Sequence, residues 1–275
     1  MPKQLCEAKN PLKRGFDGLA IQIDKSIRGT AELFRIVRTA VCSAVVCFPL
    51  LLAARPRTPL RVFCIAAFEY LARLQGRTLG SGRRMAIAQA CDFGSLRDEY
   101  YDHQKMDVTE YRELRRALRR SAPEAATIHY IQELRKAERG RPILAGSTPG
   151  IAHAVIGYRK SVIRLSLRWL EVISGLEVER ARFRSLVSLV CLMQLVDDLL
   201  DWKDDQAARC PSYVSAFLLA RPGTDIAGPL RAQADALLQR TVSAARQDAG
   251  AVPFALAGVA TWSFVVALLK VRLPK

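Results

Sequence analysis

Gln194-Leu-Val-Asp-Asp-Leu-Leu-Asp-Trp-Lys-Asp-Asp205 follows directly on the apolar run Leu186 to Met193 and holds five aspartates in nine residues. If 186–205 is one helix, each residue turns by roughly 100°. Asp197, Asp201 and Asp205 then recur at i, i+4 and i+8 along one face, with Gln194 and Asp198 flanking the stripe. Like charges at that spacing repel and weaken a helix. A divalent cation is the simplest compensation, because carboxylate oxygens are hard ligands and Mg²⁺ is usually held by one or two of them with phosphate and water. A column of three points to more than one ion, or to an ion shared with a phosphorylated substrate. The competing reading, a solvated acidic face, leaves Leu195, Val196, Leu199, Leu200 and Trp202 with little room around the acids.

The rest of the chain reads as all-α. Its 275 residues are 50% hydrophobic and 25% charged, poor in aromatics and rich in Ala, Leu and Arg, which favour helices. No run alternates with period two over the length of a strand. We expect a flexible basic tail over 1–15 and one helical domain over 16–275. Helices are expected at about 17–54, 60–75, 85–120 (one, or two joined near Asp107), from Ser121 as N-cap to Gly140, and at about 151–174, 178–205, 212–219 and 226–248. Ser121 and Glu124 stand at capping-box spacing. Gly76 to Arg84 is a Gly-rich basic turn that joins two helices or cradles phosphate. Gly140 to Gly150 is the clearest loop. The uncharged stretch Ala251 to Leu269, followed by Lys270, Arg272 and Lys275, is read first as a buried C-terminal helix. Its length also admits a helix in or on a membrane.

Net charge is +16, yet eleven of the 26 acids fall within 98–113 and 197–205. A basic body with two acidic spots suits a polyanionic substrate held through metal. Neither a zinc-finger spacing nor a basic stripe interleaved with aromatics argues for nucleic acid. The seven cysteines form no CxxC pair, and five lie in apolar surroundings. They read as buried hydrophobes in a reducing cytoplasm, and no secretory signal is read at the start.

The second acidic spot, Asp98-Glu-Tyr-Tyr-Asp102, puts Asp98 and Asp102 at i and i+4, with Glu99 to the side. Alone it is a common surface pattern. Paired with 194–205 across a helical cavity it becomes a metal site of a kind known from bundle cores.

These residues carry a resemblance. QLVDDLLD (194–201) resembles the second aspartate-rich motif of trans-isoprenyl diphosphate synthases. Extended to 205, it is similar to the second motif of squalene and phytoene synthases, and the spacing of Asp197, Asp201 and Asp205 to the metal triad of terpene cyclases. Asp98-Glu99-x-x-Asp102 looks like the first DDxxD motif of all these families. No GGKxxRP-like or YCxxVAG-like stretch accompanies them, so the resemblance reaches the class I isoprenoid synthase superfamily rather than one activity.

It implies an antiparallel helical bundle around a central cavity. It also implies a cluster of three Mg²⁺ ions held by Asp98, Glu99, Asp102, Asp197, Asp198, Asp201 and Asp205 on the diphosphate of an isoprenoid substrate. Asp98, Asp102, Asp197 and Asp201 would be catalytic through those ions. Arg159, Lys160 and Arg209 are the candidates to hold the diphosphate. Tyr100, Tyr101, Phe93, Tyr158, Trp169 and Trp202 are available to shield an allylic cation, and pairing into a homodimer is in keeping with such bundles. The alternative is a non-catalytic, membrane-associated helical protein that binds an isoprenoid or lipid diphosphate.

Overall fold

The computed structural model describes residues 35–36, 38–43, 58–103, 107–144 and 150–272. The expected tail at 1–15 and most of the helix expected over 17–54 lie outside them. The described residues are mostly helical, with no strand among them. The helices are α1 (Thr58–Leu74), α2 (Ser81–His103), α3 (Val108–Ser121), α4 (Glu124–Arg139), α5 (Ile151–Ser174), α6 (Arg180–Ala208), α7 (Tyr213–Ala220), α8 (Ala227–Gln247) and α9 (Val252–Arg272).

The site is carried by α2, α5 and α6. Helix α5 packs against both α2 and α6, and α6 packs in turn against α8 and α9. The apolar run ahead of the aspartates anchors α6. Leu186, Leu189, Cys191, Leu192, Leu195 and Leu199 are buried in one core cluster with residues from all the other helices. Truncating any of these leucines to Ala costs about 2 to 5 kcal/mol. Glu179 caps the start of α6 by accepting from the Ala181 and Arg182 amides at 2.6 and 3.3 Å. At the other end Arg209 adopts a left-handed conformation (φ 55°) and turns the chain sharply toward α7.

One local expectation is corrected, and two alternatives are decided. Ser121 does not cap α4; it ends α3, where its hydroxyl donates to the Ala117 carbonyl at 3.0 Å, and Pro123 takes the capping position. The break near Asp107 is real, and Asp107 caps α3 by accepting from the Thr109 and Glu110 amides. The Gly-rich basic stretch at 76–84 is a helix connection rather than a phosphate cradle. Its Leu79 amide and Arg84 side chain both turn to the buried carboxylate of Glu69 on α1, and Ser81 to Arg84 already belong to α2.

Residues 249–271 are long and apolar enough to cross a membrane, with mean hydropathy 2.0. In the fold α9 lays one side on α6 and α8, burying Phe254, Trp262 and Val265. Leu256, Phe264 and Val271 remain exposed on the other side. The buried-helix reading therefore describes one side of α9 and not the whole of it.

Candidate functional site

The acidic stripe of α6 divides by face. Asp197 and Asp201 are exposed and Asp205 is half-buried. Asp198, a single residue further round than Asp197, points inward and is 2% exposed. Its carboxylate accepts from the Tyr213 amide at 2.5 Å and from Gln194 Nε2 at 2.9 Å. Asp198 therefore ties the first residue of α7 to α6, a structural duty for a residue counted among the metal ligands from its sequence. Asp197 receives only a longer bond from Gln194, at 3.3 Å.

On α2, Asp98 opens into a cavity and Glu99 is exposed beside it. Asp102 is half-buried and bonded to Arg141, which lies just past the end of α4. Arg141 also pairs with Glu138 at 3.5 Å, and Glu138 accepts from the Tyr158 hydroxyl at 2.7 Å. Glu138, Arg141 and Tyr158 thus complete a network that the sequence reading did not assign. Arg141 lies 39 residues from Asp102 and Tyr158 lies 20 from Glu138, so no short spacing announces these two bonds. A polar, acidic Glu138 next to the clearest loop was the one available signal.

Arg159 on α5 stands between the two acidic faces. It is 7% exposed, and its Nε donates to the Pro211 carbonyl at 2.8 Å. Burial alone would lower its pKa. Asp198, Asp98 and Asp102 outweigh that and raise it, so the guanidinium stays charged. The same guanidinium acts on Asp197 and Asp205. The structure therefore brings together Asp98, Asp102, Asp197, Asp198 and Asp205 around one buried cation.

The carboxylates bear the mark of this crowding. Burial pushes Asp98, Asp198 and Asp205 up to about 6 against the pull of Arg159. Burial, then Asp201, raises Asp197. Asp98 is itself exposed at the edge of the cavity, and water reaching it there screens part of the penalty. Asp102 and Asp205 repel one another across the gap between α2 and α6. These are the conditions under which carboxylates gain by a bound cation.

The cavity between α2, α4 and α5 has a volume of about 170 Å³. Its polar end carries Asp98, Glu138, Arg159 and Gln194. Its body is apolar, lined by residues such as Cys91, Leu134, Ile163 and Leu170. Tyr130 and Trp169 stack on its wall, with ring centroids 4.1 Å apart and planes 7° from parallel. Trp169 Nε1 has no hydrogen-bond partner among the described residues. Tyr101 lies toward the polar end, its hydroxyl accepting from Arg97 at 2.5 Å. Trp202 and Tyr158 do not line the cavity.

The other two basic candidates are not part of this cluster. Lys160 follows Arg159 on the helix and faces a different groove, between α5, α6 and α8. Arg209 closes α6 with its backbone, and its side chain is exposed.

Among the described residues, no three His, Cys, Asp or Glu side chains converge closely enough to cage an ion. Mg²⁺ does not need such a cage: it keeps waters and shares one or two carboxylates with substrate phosphates. The exposed Asp197 and Asp201, with Asp205 further along the same helix and Asp98 and Asp102 on α2, fit an ion of that shared kind. No family model matches this chain, and no curated protein or solved structure matches it.

Proposed function

We propose that this protein is a Mg²⁺-dependent isoprenoid synthase, either a terpene cyclase or a prenyltransferase. It would ionise an allylic isoprenoid diphosphate, release pyrophosphate, and cyclise or couple the carbocation. The finer fold reading goes with it: an antiparallel helical bundle of the class I isoprenoid synthase kind, with its cavity as the active site. The observation that carries the proposal is a single cavity with a charged mouth and an apolar, aromatic body, flanked by two aspartate faces from distant parts of the chain.

The residues divide the work. The isoprenoid tail lies in the body of the cavity, where burial of each CH₂ contributes about 0.8 kcal/mol. Asp98, Asp102, Asp197, Asp201 and Asp205 would hold the Mg²⁺ ions, with Glu99 in reserve at the rim. Bound there, Mg²⁺ supplies Lewis-acid neutralisation of the departing diphosphate. Arg159 is placed to donate to a diphosphate oxygen at the mouth, with its orientation fixed by Pro211. Tyr130 and Trp169 offer ring faces to a cation in the body, where such contacts gain from the absence of water. Leu134, Ile163 and Leu170 keep water from that cation.

The second reading, a membrane-associated protein that grips a lipid diphosphate without turnover, draws on the apolar exposed side of α9. Pyrophosphate release decides between them. It would be measured from C10, C15 and C20 allylic diphosphates, with Mg²⁺ and with EDTA, in the wild type and in the Asp197→Asn Asp201→Asn double variant. Both side chains are exposed, so the variant is expected to keep its fold. Mg²⁺-dependent release that the variant lacks supports the synthase. No release from any substrate, with or without isopentenyl diphosphate, leaves the binding protein.

A further inference from the structure

The groove on the far side of α5 is lined by cations from three helices. Lys160 and Arg164 from α5, Arg184 from α6 and Arg240 from α8 line a cavity of about 180 Å³, with no carboxylate among its lining residues. None of the four forms an ion pair among the described residues. Arg184 donates instead to the neutral Gln247 Oε1, at 2.6 Å. Lys160 and Arg164 stand at i and i+4, where like charges repel. Some exposed cations elsewhere pair with acids, Arg119 with Glu124, Lys136 with Glu133 and Arg168 with Glu171; what sets the groove apart is that its four cations converge on one concavity. The floor of the groove holds Ser188, which is 6% exposed and whose hydroxyl makes no hydrogen bond within the described protein.

Four unpaired cations on three helices around one concavity focus a positive potential that the fold itself does not relieve. Guanidinium groups match the geometry of phosphate oxygens and bond them in pairs. We infer that the groove bounded by Lys160, Arg164, Arg184 and Arg240 is a binding site for a phosphorylated anion, separate from the acidic cavity and independent of metal. The phosphate would sit between the guanidinium groups, with Ser188 as a neutral donor beneath it. The inference does not rest on the ionisation chemistry proposed for the other site. Its ligand uses the same chemistry whether it is a soluble diphosphate or the phosphate of a lipid headgroup.

The experiment is calorimetric titration of the full chain with inorganic pyrophosphate in EDTA, paired with co-sedimentation on phosphatidylglycerol and phosphatidylcholine vesicles. Arg164→Gln Arg240→Gln removes two exposed charges from the groove. Arg115→Gln Arg116→Gln removes the same charge from the exposed surface of α3 and serves as the control. Metal-free binding that the groove variant weakens roughly tenfold or more, and the control by less than about twofold, supports the site. Binding of pyrophosphate identifies a soluble ligand. Binding only of phosphatidylglycerol vesicles, lost in the groove variant, identifies a headgroup. Equal weakening in both variants, or no metal-free binding to either probe, overturns the inference. EDTA keeps this result apart from the synthase reading, whose Asp197→Asn Asp201→Asn variant should retain all metal-free binding.

Discussion

Replacing Arg159 by Met tests whether one guanidinium balances both acidic faces. The side chain is 7% exposed, and it acts on Asp98, Asp102, Asp197, Asp198 and Asp205. Met keeps the length and the packing and removes the charge, together with the bond to the Pro211 carbonyl. Removing one partner of a buried charge pair costs about 3 to 5 kcal/mol. Asp98 and Asp205 reach water and can take up a proton, so the lower end of that range applies. We expect a loss of about 3 kcal/mol at pH 7.5, which for a chain of this size lowers Tm by about 6 °C or more. Without the guanidinium the folded carboxylates hold their protons still more tightly, so the folded state binds more protons than the unfolded one over a wider range. The deficit should therefore shrink as the pH falls, to about 1 kcal/mol at pH 5. Urea denaturation of both proteins at the two pH values measures it. A loss below about 1 kcal/mol at pH 7.5, or a loss equal at both pH values, would refute the arrangement.

Three further outcomes are expected. Asp198→Ala orphans the buried Tyr213 amide and should cost about 2 kcal/mol of stability, whereas Asp197→Ala should stay within about 0.5 kcal/mol and lose turnover; equal stability losses in urea would contradict the division of labour between these neighbours. Gly94 lies within α2 on the cavity wall, and a Cβ there would meet only the Tyr130 hydroxyl, at 3.7 Å. Gly94→Ala should stabilise by about 0.5 to 1 kcal/mol and shift preference toward shorter isoprenoid tails, and an unchanged chain-length profile would place the tail elsewhere. In the wild type, Asp98, Asp198 and Asp205 titrate near 6 in the fold against 3.8 as free groups. The folded state thus holds protons that the unfolded chain has released. In enough salt to screen the net charge, stability should fall as pH rises from about 4 through 6 and level off above; a urea midpoint that climbs across that window would be the contrary result.

What could be read from the sequence was local. The period of the α6 apolar run and its aspartates places Asp197, Asp201 and Asp205 on one face, because helical geometry fixes that relation whatever surrounds it. The same periodicity is blind to which neighbour faces the core. Asp197 and Asp198 differ by one turn step, and only the position of α7 makes one of them a buried anchor. Arg159 and Lys160 repeat the lesson on α5: adjacent in sequence, they serve cavities on different sides of the helix. The Asp102 to Arg141 and Glu138 to Tyr158 bonds depend on how α2, α4 and α5 meet, and no spacing within a helix encodes that. Ser121 misled because the capping-box pattern ignores Pro123, which supplies the capping position itself and leaves the serine to finish the previous helix.

The charge balance of the acidic cavity leads to a last test. Among the described residues, Asp98, Asp102, Asp197, Asp198, Asp205 and Glu138 face Arg159 and Arg141 as cations. In a chain of net charge +16, this is a local reversal of sign. The fold tolerates it by raising three of the aspartates to about 6, which leaves them partly protonated at that pH. A divalent cation arriving with a diphosphate favours the ionised form of every carboxylate near it. Binding of Mg²⁺ with inorganic pyrophosphate at pH 6 should therefore expel about one proton per protein, and at pH 8, where the aspartates are already ionised, nearly none. Titration calorimetry in two buffers of different ionisation enthalpy reads the proton count directly. The groove on the other side of α5 offers Lys and Arg side chains that are already fully charged at pH 6, so anion binding there has no aspartate from which to expel a proton. Proton release at pH 6 that disappears in Asp197→Asn Asp201→Asn would assign the ions to the acidic face, and release unchanged in that variant would refute the assignment.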